Sequence, residues 1–130
     1  LGTTSLADVM CAASLSLDFL LVLGEENRPM DDPERCRYVQ IVRDSMDNCA
    51  RHRDRRQGRD VFLECVSSTG INSDTPSGRL FVPGHSIEVA WFLLKMCDAV
   101  GGSKNHEEMA LAVLEGSLKL GWDNDYGGLL

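Results

Sequence analysis

The sequence predicts an all-α fold: two helix pairs with a long arm between them. Three observations point there. Apolar residues recur at helical spacing in four segments. Each segment is bracketed by residues that cap or stop helices. Only one short run, Val61-Phe62-Leu63-Glu64-Cys65-Val66, is β-prone. In each pair one helix is apolar nearly all round and the other is amphipathic, which suits an inner and an outer layer of helices.

The first helix is expected from about Ser5 to Leu23, with Leu6, Val9, Met10, Ala13, Leu17, Leu20 and Val22 near helical spacing. Thr3, Thr4 or Ser5 supplies an N-cap and Gly24 a stop. Its apolar stripe is wide, so burial on more than one side is expected. Val9 to Gly24 resembles the apolar part of a signal peptide, but no basic stretch precedes it and Asp18 interrupts it. The run is short for a membrane span, and a packed helix is the better reading.

Glu25 to Asp31 is a polar connection. Asp32-Pro33-Glu34 then opens a second helix: a capping aspartate, proline at the first helical position, and an acid in the first turn. This helix runs to about Arg51 with Cys36, Val39, Val42, Met46 and Cys49 inward. Arg51, Arg53, Arg55, Arg56 and Arg59 follow. A solvated helix end, whose cations favour the negative end of the dipole, is preferred over a phosphate site.

After the β-prone run, Ser67 to Gly78 reads as a long loop, and loops of that length are usually functional or mobile. A third helix is expected from about Ser86 to Val100, ending at Gly101-Gly102. It is apolar nearly all round and belongs inside a larger structure. A fourth spans about Asn105 to Leu120, capped by Ser103 or Asn105, with Ala110, Leu111, Val113, Leu114 and Leu118 on one face. A turn-rich loop, Gly121 to Gly128, closes the sequence.

The chain has 130 residues, 43% of them hydrophobic and 25% charged, an ordinary globular composition. Its net charge of -7 argues against nucleic acid as a partner. Five widely spaced cysteines with no CxxC read as buried free thiols in a reducing compartment, hence a cytoplasmic protein with no membrane attachment. The three histidines have no zinc spacing, and Asp123 with Asp125 does not match an EF-hand, so no metal is expected. The chain starts at Leu1 and stops in the apolar Gly127-Gly128-Leu129-Leu130, so residues 1–130 are expected to be one segment of a larger domain.

Chemistry concentrates in Pro83-Gly84-His85-Ser86-Ile87-Glu88. His85 and Glu88 lie three apart and share a helix face. The positive helix end favours a neutral imidazole, which accepts a proton; a nearby carboxylate favours the charged form. The alternative is a cap, with His85 at the N-cap and Glu88 three residues on. Trp91 continues the face one turn up; its indole N–H wants a partner if buried. Phe92 reads as core. Glu64, alone in an apolar run, either faces solvent or is aimed at a site.

Pro-Gly-His-x-x-Glu-x-x-Trp-Phe-Leu-Leu at 83–94, followed by Gly-Trp-Asp-x-x-x-Gly-Gly-Leu at 121–129, resembles the N-acylglucosamine 2-epimerase family, whose animal members are also called renin-binding proteins. Leu63-Glu64-Cys65-Val66-Ser67 is similar to the family's arm before that histidine. The resemblance implies a partial (α/α)6 toroid, about two helical hairpins with a short extended arm between them. It implies C2 epimerisation between N-acetylglucosamine and N-acetylmannosamine on the ring-opened sugar. His85 maps onto one catalytic histidine and Glu88 onto the acid beside it; Trp91 and Glu64 are the expected substrate contacts. A second histidine of the family has no counterpart here, so this segment alone is expected to be inactive. ATP is implied as an activator of the parent, not as a reactant. A homodimer and a renin-like protein partner are further implications. Val82, where the family often has Asn, leaves the sugar open: mannose-type isomerases and cellobiose epimerases share the scaffold.

Overall fold

A computed structural model describes residues 2–69 and 74–130. Helix α1 (Leu6–Glu25) packs along α2 (Pro33–Arg51), and α3 (Pro83–Val100) along α4 (Lys104–Gly121). These are the two expected helical hairpins, and the chain is mostly helical. The arm between them is more ordered than the sequence suggests. Strand β1 (Thr3–Ser5) pairs antiparallel with β4 (Cys65–Ser67), Thr4 opposite Val66. Strand β2 (Arg53–Arg56) pairs antiparallel with β3 (Arg59–Phe62), Arg53 opposite Phe62. Residues 70–73 of the expected loop lie outside the described residues, as does Leu1; within the rest of that loop, Ser77–Arg79 forms a 3₁₀ turn.

The arginine-rich stretch is therefore not a helix end. α2 stops at Arg51, and the chain turns back through Gln57 and Gly58, at φ 48° and 77°. Positive φ at both central residues is what a two-residue hairpin of right-handed twist requires. The β-prone run Val61–Val66 supplies residues to both β3 and β4, and the side chains of Val61-Phe62-Leu63 alternate. Phe62 enters the main core with Val42, Met46, Val89 and Leu93, while Val61 and Leu63 enter a second cluster with Val66, Phe81 and Leu120.

Helix boundaries follow the capping chemistry. Asp32 caps α2 as expected, its carboxylate accepting the Glu34 and Arg35 amides at 3.0 and 3.1 Å. Ser103, not Asn105, caps α4 through the His106 amide. Gly24 does not stop α1. The chain turns at Asn27, φ 55°, with Asn27 N–H on Gly24 and Arg28 N–H on Leu23. Asparagine is the residue that tolerates this left-handed position besides glycine.

Burial corrects several expectations. α1 buries one stripe (Leu6, Val9, Ala13, Leu17, Leu20, Leu23) and exposes Leu15, Phe19, Leu21 and Val22, rather than being covered on several sides. At 20 residues and mean hydropathy 2.0 it has the length and composition of a membrane-crossing helix, so it is not too short for one. α3 exposes half of Trp91, and α4 exposes Leu111 and Leu118. Only Cys49 and Cys97 are buried thiols; Cys11 and Cys36 are exposed and Cys65 is half-buried. Burial pushes the Cys49 thiol up to about 12.

Two glycines let elements touch. A Cβ on Gly116 would overlap the Asp60 carbonyl, so this position lets β3 lie against α4. A Cβ on Gly121 would overlap the Pro83 ring, so the end of α4 abuts the start of α3. The last loop closes on itself there: Trp122 pairs with Leu129, and the Asp123 carboxylate accepts the amides of Asp125 and Tyr126.

Candidate active site

α3 begins earlier than its apolar pattern suggests. Val82 is the N-cap residue and Pro83 the first helical one, because proline's fixed φ is preset for that position. His85 is thus the third residue of the helix, not its cap. No side chain caps α3, so the reading of His85 and Glu88 as a capping pair fails.

The carboxylate that meets His85 is Glu64. Its Oε1 lies 3.1 Å from His85 Nδ1, across 21 residues of sequence. The Glu64 side chain is only 12% exposed, whereas that of His85 is 46% exposed. A carboxylate only accepts, so Nδ1 carries the hydrogen and donates it. That leaves Nε2 as the nitrogen with the lone pair. It makes no hydrogen bond among the described residues.

Glu64 is held by its backbone as well. It sits between β3 and β4, and its carbonyl accepts the first helical amide of α1, from Leu6, at 2.8 Å. Its own N–H donates to Leu80 O at 3.0 Å. The arm thus threads between the starts of α1 and α3. Ser86, buried next to His85, accepts the Phe62 N–H at 2.9 Å and shares a 2.7 Å bond with Ser117 on α4.

Glu88 lies one turn up from His85 and has no hydrogen bond among the described residues. With Phe92 it forms the α3 wall of a hollow of about 330 Å³, whose α1 wall is Met10, Cys11, Ser14 and Leu15. This volume is in the usual range for a small-molecule site. Trp91 is not in that lining. Its ring packs on Phe92, centroids 5.0 Å apart, and carries the Lys95 ammonium 5.1 Å away. The structure therefore brings His85 and Glu64 together, places Glu88 in the hollow, and leaves Trp91 on the outer side of α3. Sequence reasoning assigned Glu64 to substrate rather than to His85, and did not single out Ser86.

The arginines of the hairpin are partly paired within it. Arg53 pairs with Asp60 and Arg56 with Asp54, both at 2.7 Å, and Arg55 donates to the turn carbonyl of Gly58.

The family model described as N-acylglucosamine 2-epimerase (GlcNAc 2-epimerase) matches residues 37–130, which include Glu64, His85, Glu88 and Trp91. The chain belongs to the N-acylglucosamine 2-epimerase family. It is similar to the N-acylglucosamine 2-epimerase of Rattus norvegicus, 31% identical over 131 residues, covering 99% of this chain and 29% of that protein. The Homo sapiens protein of the same name is 32% identical over 136 residues, covering 99% of this chain and 30% of its own length. The Bos taurus protein is 34% identical over 74 residues, 57% of this chain and 18% of its own. The chain spans under a third of the length of these epimerases. As a family member it carries the histidine-bearing helix start together with the arm that supplies the histidine's carboxylate.

Proposed function

We propose that this chain supplies one half of the proton-transfer machinery of an N-acylglucosamine 2-epimerase, with His85 Nε2 as the group that moves the C2 proton of a ring-opened N-acetylhexosamine. The observation that carries this reading is the His85–Glu64 hydrogen bond. It fixes the tautomer, so that Nε2 keeps a lone pair free to accept a proton, one helical turn before Glu88 on the wall of the hollow.

In an open-chain amino sugar the C1 aldehyde acidifies the hydrogen on C2. Nε2 takes that proton, and the imidazolium so formed faces the Glu64 carboxylate, which stabilises its charge. The electron pair left on C2 delocalises onto the C1 oxygen. Return of a proton to the opposite face inverts C2. N-acetylglucosamine thereby becomes N-acetylmannosamine, with no net gain or loss of atoms. The return requires a second acid on the other side of the sugar. His52 is buried and His106 binds Ser103 at the start of α4; neither lines the hollow. Glu88, on the hollow's wall, is placed to accept hydrogen bonds from sugar hydroxyls. Residues 1–130 alone then leave both sugars unchanged, and turnover belongs to a longer protein carrying this chain.

The test is interconversion of the two sugars in deuterated water, followed by label at C2, in the full-length protein. His85→Ala should cut turnover by ~10²–10⁴-fold, the usual share of a general acid–base. Undiminished label incorporation in that variant sinks the reading.

A further inference from the structure

We infer that His52 is a positioning residue for the His85–Glu64 pair, acting through the peptide bond that joins Leu63 to Glu64. The inference rests on the reading of His85 as the proton-transfer group.

His52 follows the last residue of α2 and is fully buried. Its Nδ1 lies 2.8 Å from Leu63 O, and its own backbone carbonyl accepts the Leu63 N–H at 2.9 Å. Since a carbonyl only accepts, Nδ1 carries the hydrogen. The peptide after Leu63 is planar and rotates as one body. Its carbonyl edge is held by the His52 ring, and its N–H edge, that of Glu64, by Leu80 O at 3.0 Å. Hydrogen bonds on both edges fix the plane's rotation, and with it the direction in which the Glu64 side chain leaves the backbone. That side chain ends 3.1 Å from His85 Nδ1.

The ring pairs the Leu63 carbonyl at the cost of its other nitrogen: Nε2 is buried with no hydrogen-bond partner among the described residues. An apolar side chain of similar size would avoid that cost but leave the Leu63 carbonyl without its donor. What the imidazole adds over an apolar residue is one donor, aimed at Leu63 O. That donor is useful where the Leu63–Glu64 peptide must be held in one orientation.

The chain has three histidines, so its imidazole nitrogens are resolvable in two-bond proton–nitrogen correlation spectra. In the wild type His85 should show a protonated Nδ1. Glu64→Ala should abolish that signature, and its survival there would overturn the pair itself rather than the role of His52. His52→Leu, which removes the donor, should also cost His85 its protonated Nδ1 signal. His52→Asn, which keeps a donor near the Nδ1 position, should retain it. A folded His52→Leu chain with the His85 signature intact overturns the inference. If the leucine variant does not fold, the asparagine variant decides: retention supports the inference and loss overturns it. In the full-length protein the same order should appear in kcat, with the asparagine variant above the leucine variant and KM little changed; equal kcat values in the two would also overturn it.

Discussion

Ser86 and Phe62 are joined by a 2.9 Å hydrogen bond from the Phe62 amide to the Ser86 hydroxyl. Ser86 is the residue after His85, and Phe62 is two residues before Glu64. The bond therefore ties the helix that carries the imidazole to β3, the strand just before the carboxylate, next to the point where the two side chains meet.

Removing that tie should be measurable as stability. Ser86→Ala leaves the buried Phe62 N–H unpaired and takes a partner from Ser117. The expected loss is ~1–3 kcal/mol in urea unfolding. Ser117→Ala combined with Ser86→Ala should cost less than the sum of the two, because both delete the same hydroxyl pair. Strict additivity would show that the pair does not act as a unit.

Glu64 variants should rank by what they leave His85. Glu64→Gln keeps an acceptor for the Nδ1 hydrogen and loses the charge; Glu64→Ala loses both. In the full-length protein, on the proposed reading, the alanine variant should lose on the order of 10²-fold in turnover, and the glutamine variant less. Equal losses would mean that charge alone, and not the tautomer, is what Glu64 provides.

Burial holds the His52 imidazole below its ordinary value of 6.5, against the opposing pulls of the Leu63 carbonyl and the Glu64 charge. The unfolded chain then binds the proton more readily than the folded one. Stability from this group is complete above 6.5 and declines as pH falls from there through the folded value. His52→Leu should flatten that part of the profile. Asp32 and Glu115, both lowered in the fold, act on stability nearer their ordinary 3.8 and 4.5, in a separate range. An unaltered slope around pH 6 in His52→Leu would exclude this group as the source.

Gly116→Ala adds a methyl against the Asp60 backbone oxygen, which has no side-chain freedom to move away. Alanine's helix preference, about 1 kcal/mol over glycine, works in the opposite direction. Overpacking should prevail and lower stability by about 1 kcal/mol net. Gly84→Ala is the contrast: its Cβ meets nothing within 4 Å, so stability should hold or rise. Thermal unfolding of the two variants in one buffer checks both.

Much of the fold could be read from local chemistry. Asp32-Pro33 opens α2 where a capping acid and a preset φ say it should, and Gly101, at φ 72°, closes α3. Periodicity named most of the inward faces of α1 and α2 because those faces repeat along one element, but Val22 and Cys36, expected inward, are exposed. The site was legible only in part. The motif gave His85 and Glu88, but helical spacing reports neighbours along one helix, and the carboxylate on His85 comes from the arm, 21 residues earlier. The available signal was a lone acid in an otherwise apolar run. For His52 no local signal existed, since it lies between Arg51 and Arg53 and reads as surface. It is buried because the chain turns there from α2 into β2, folding the ring beneath the arm. Strand β1 was equally hidden, being three residues whose partner lies some sixty positions away.

The backbone of Glu64 has one further consequence. Its carbonyl is joined to Leu6 at the root of α1, and its amide to Leu80 on the lead-in to α3. The two walls of the hollow thus share a single pivot, and that pivot also bears the acid. One residue therefore links the roots of the two helices that wall the hollow and also carries the carboxylate that orients the imidazole.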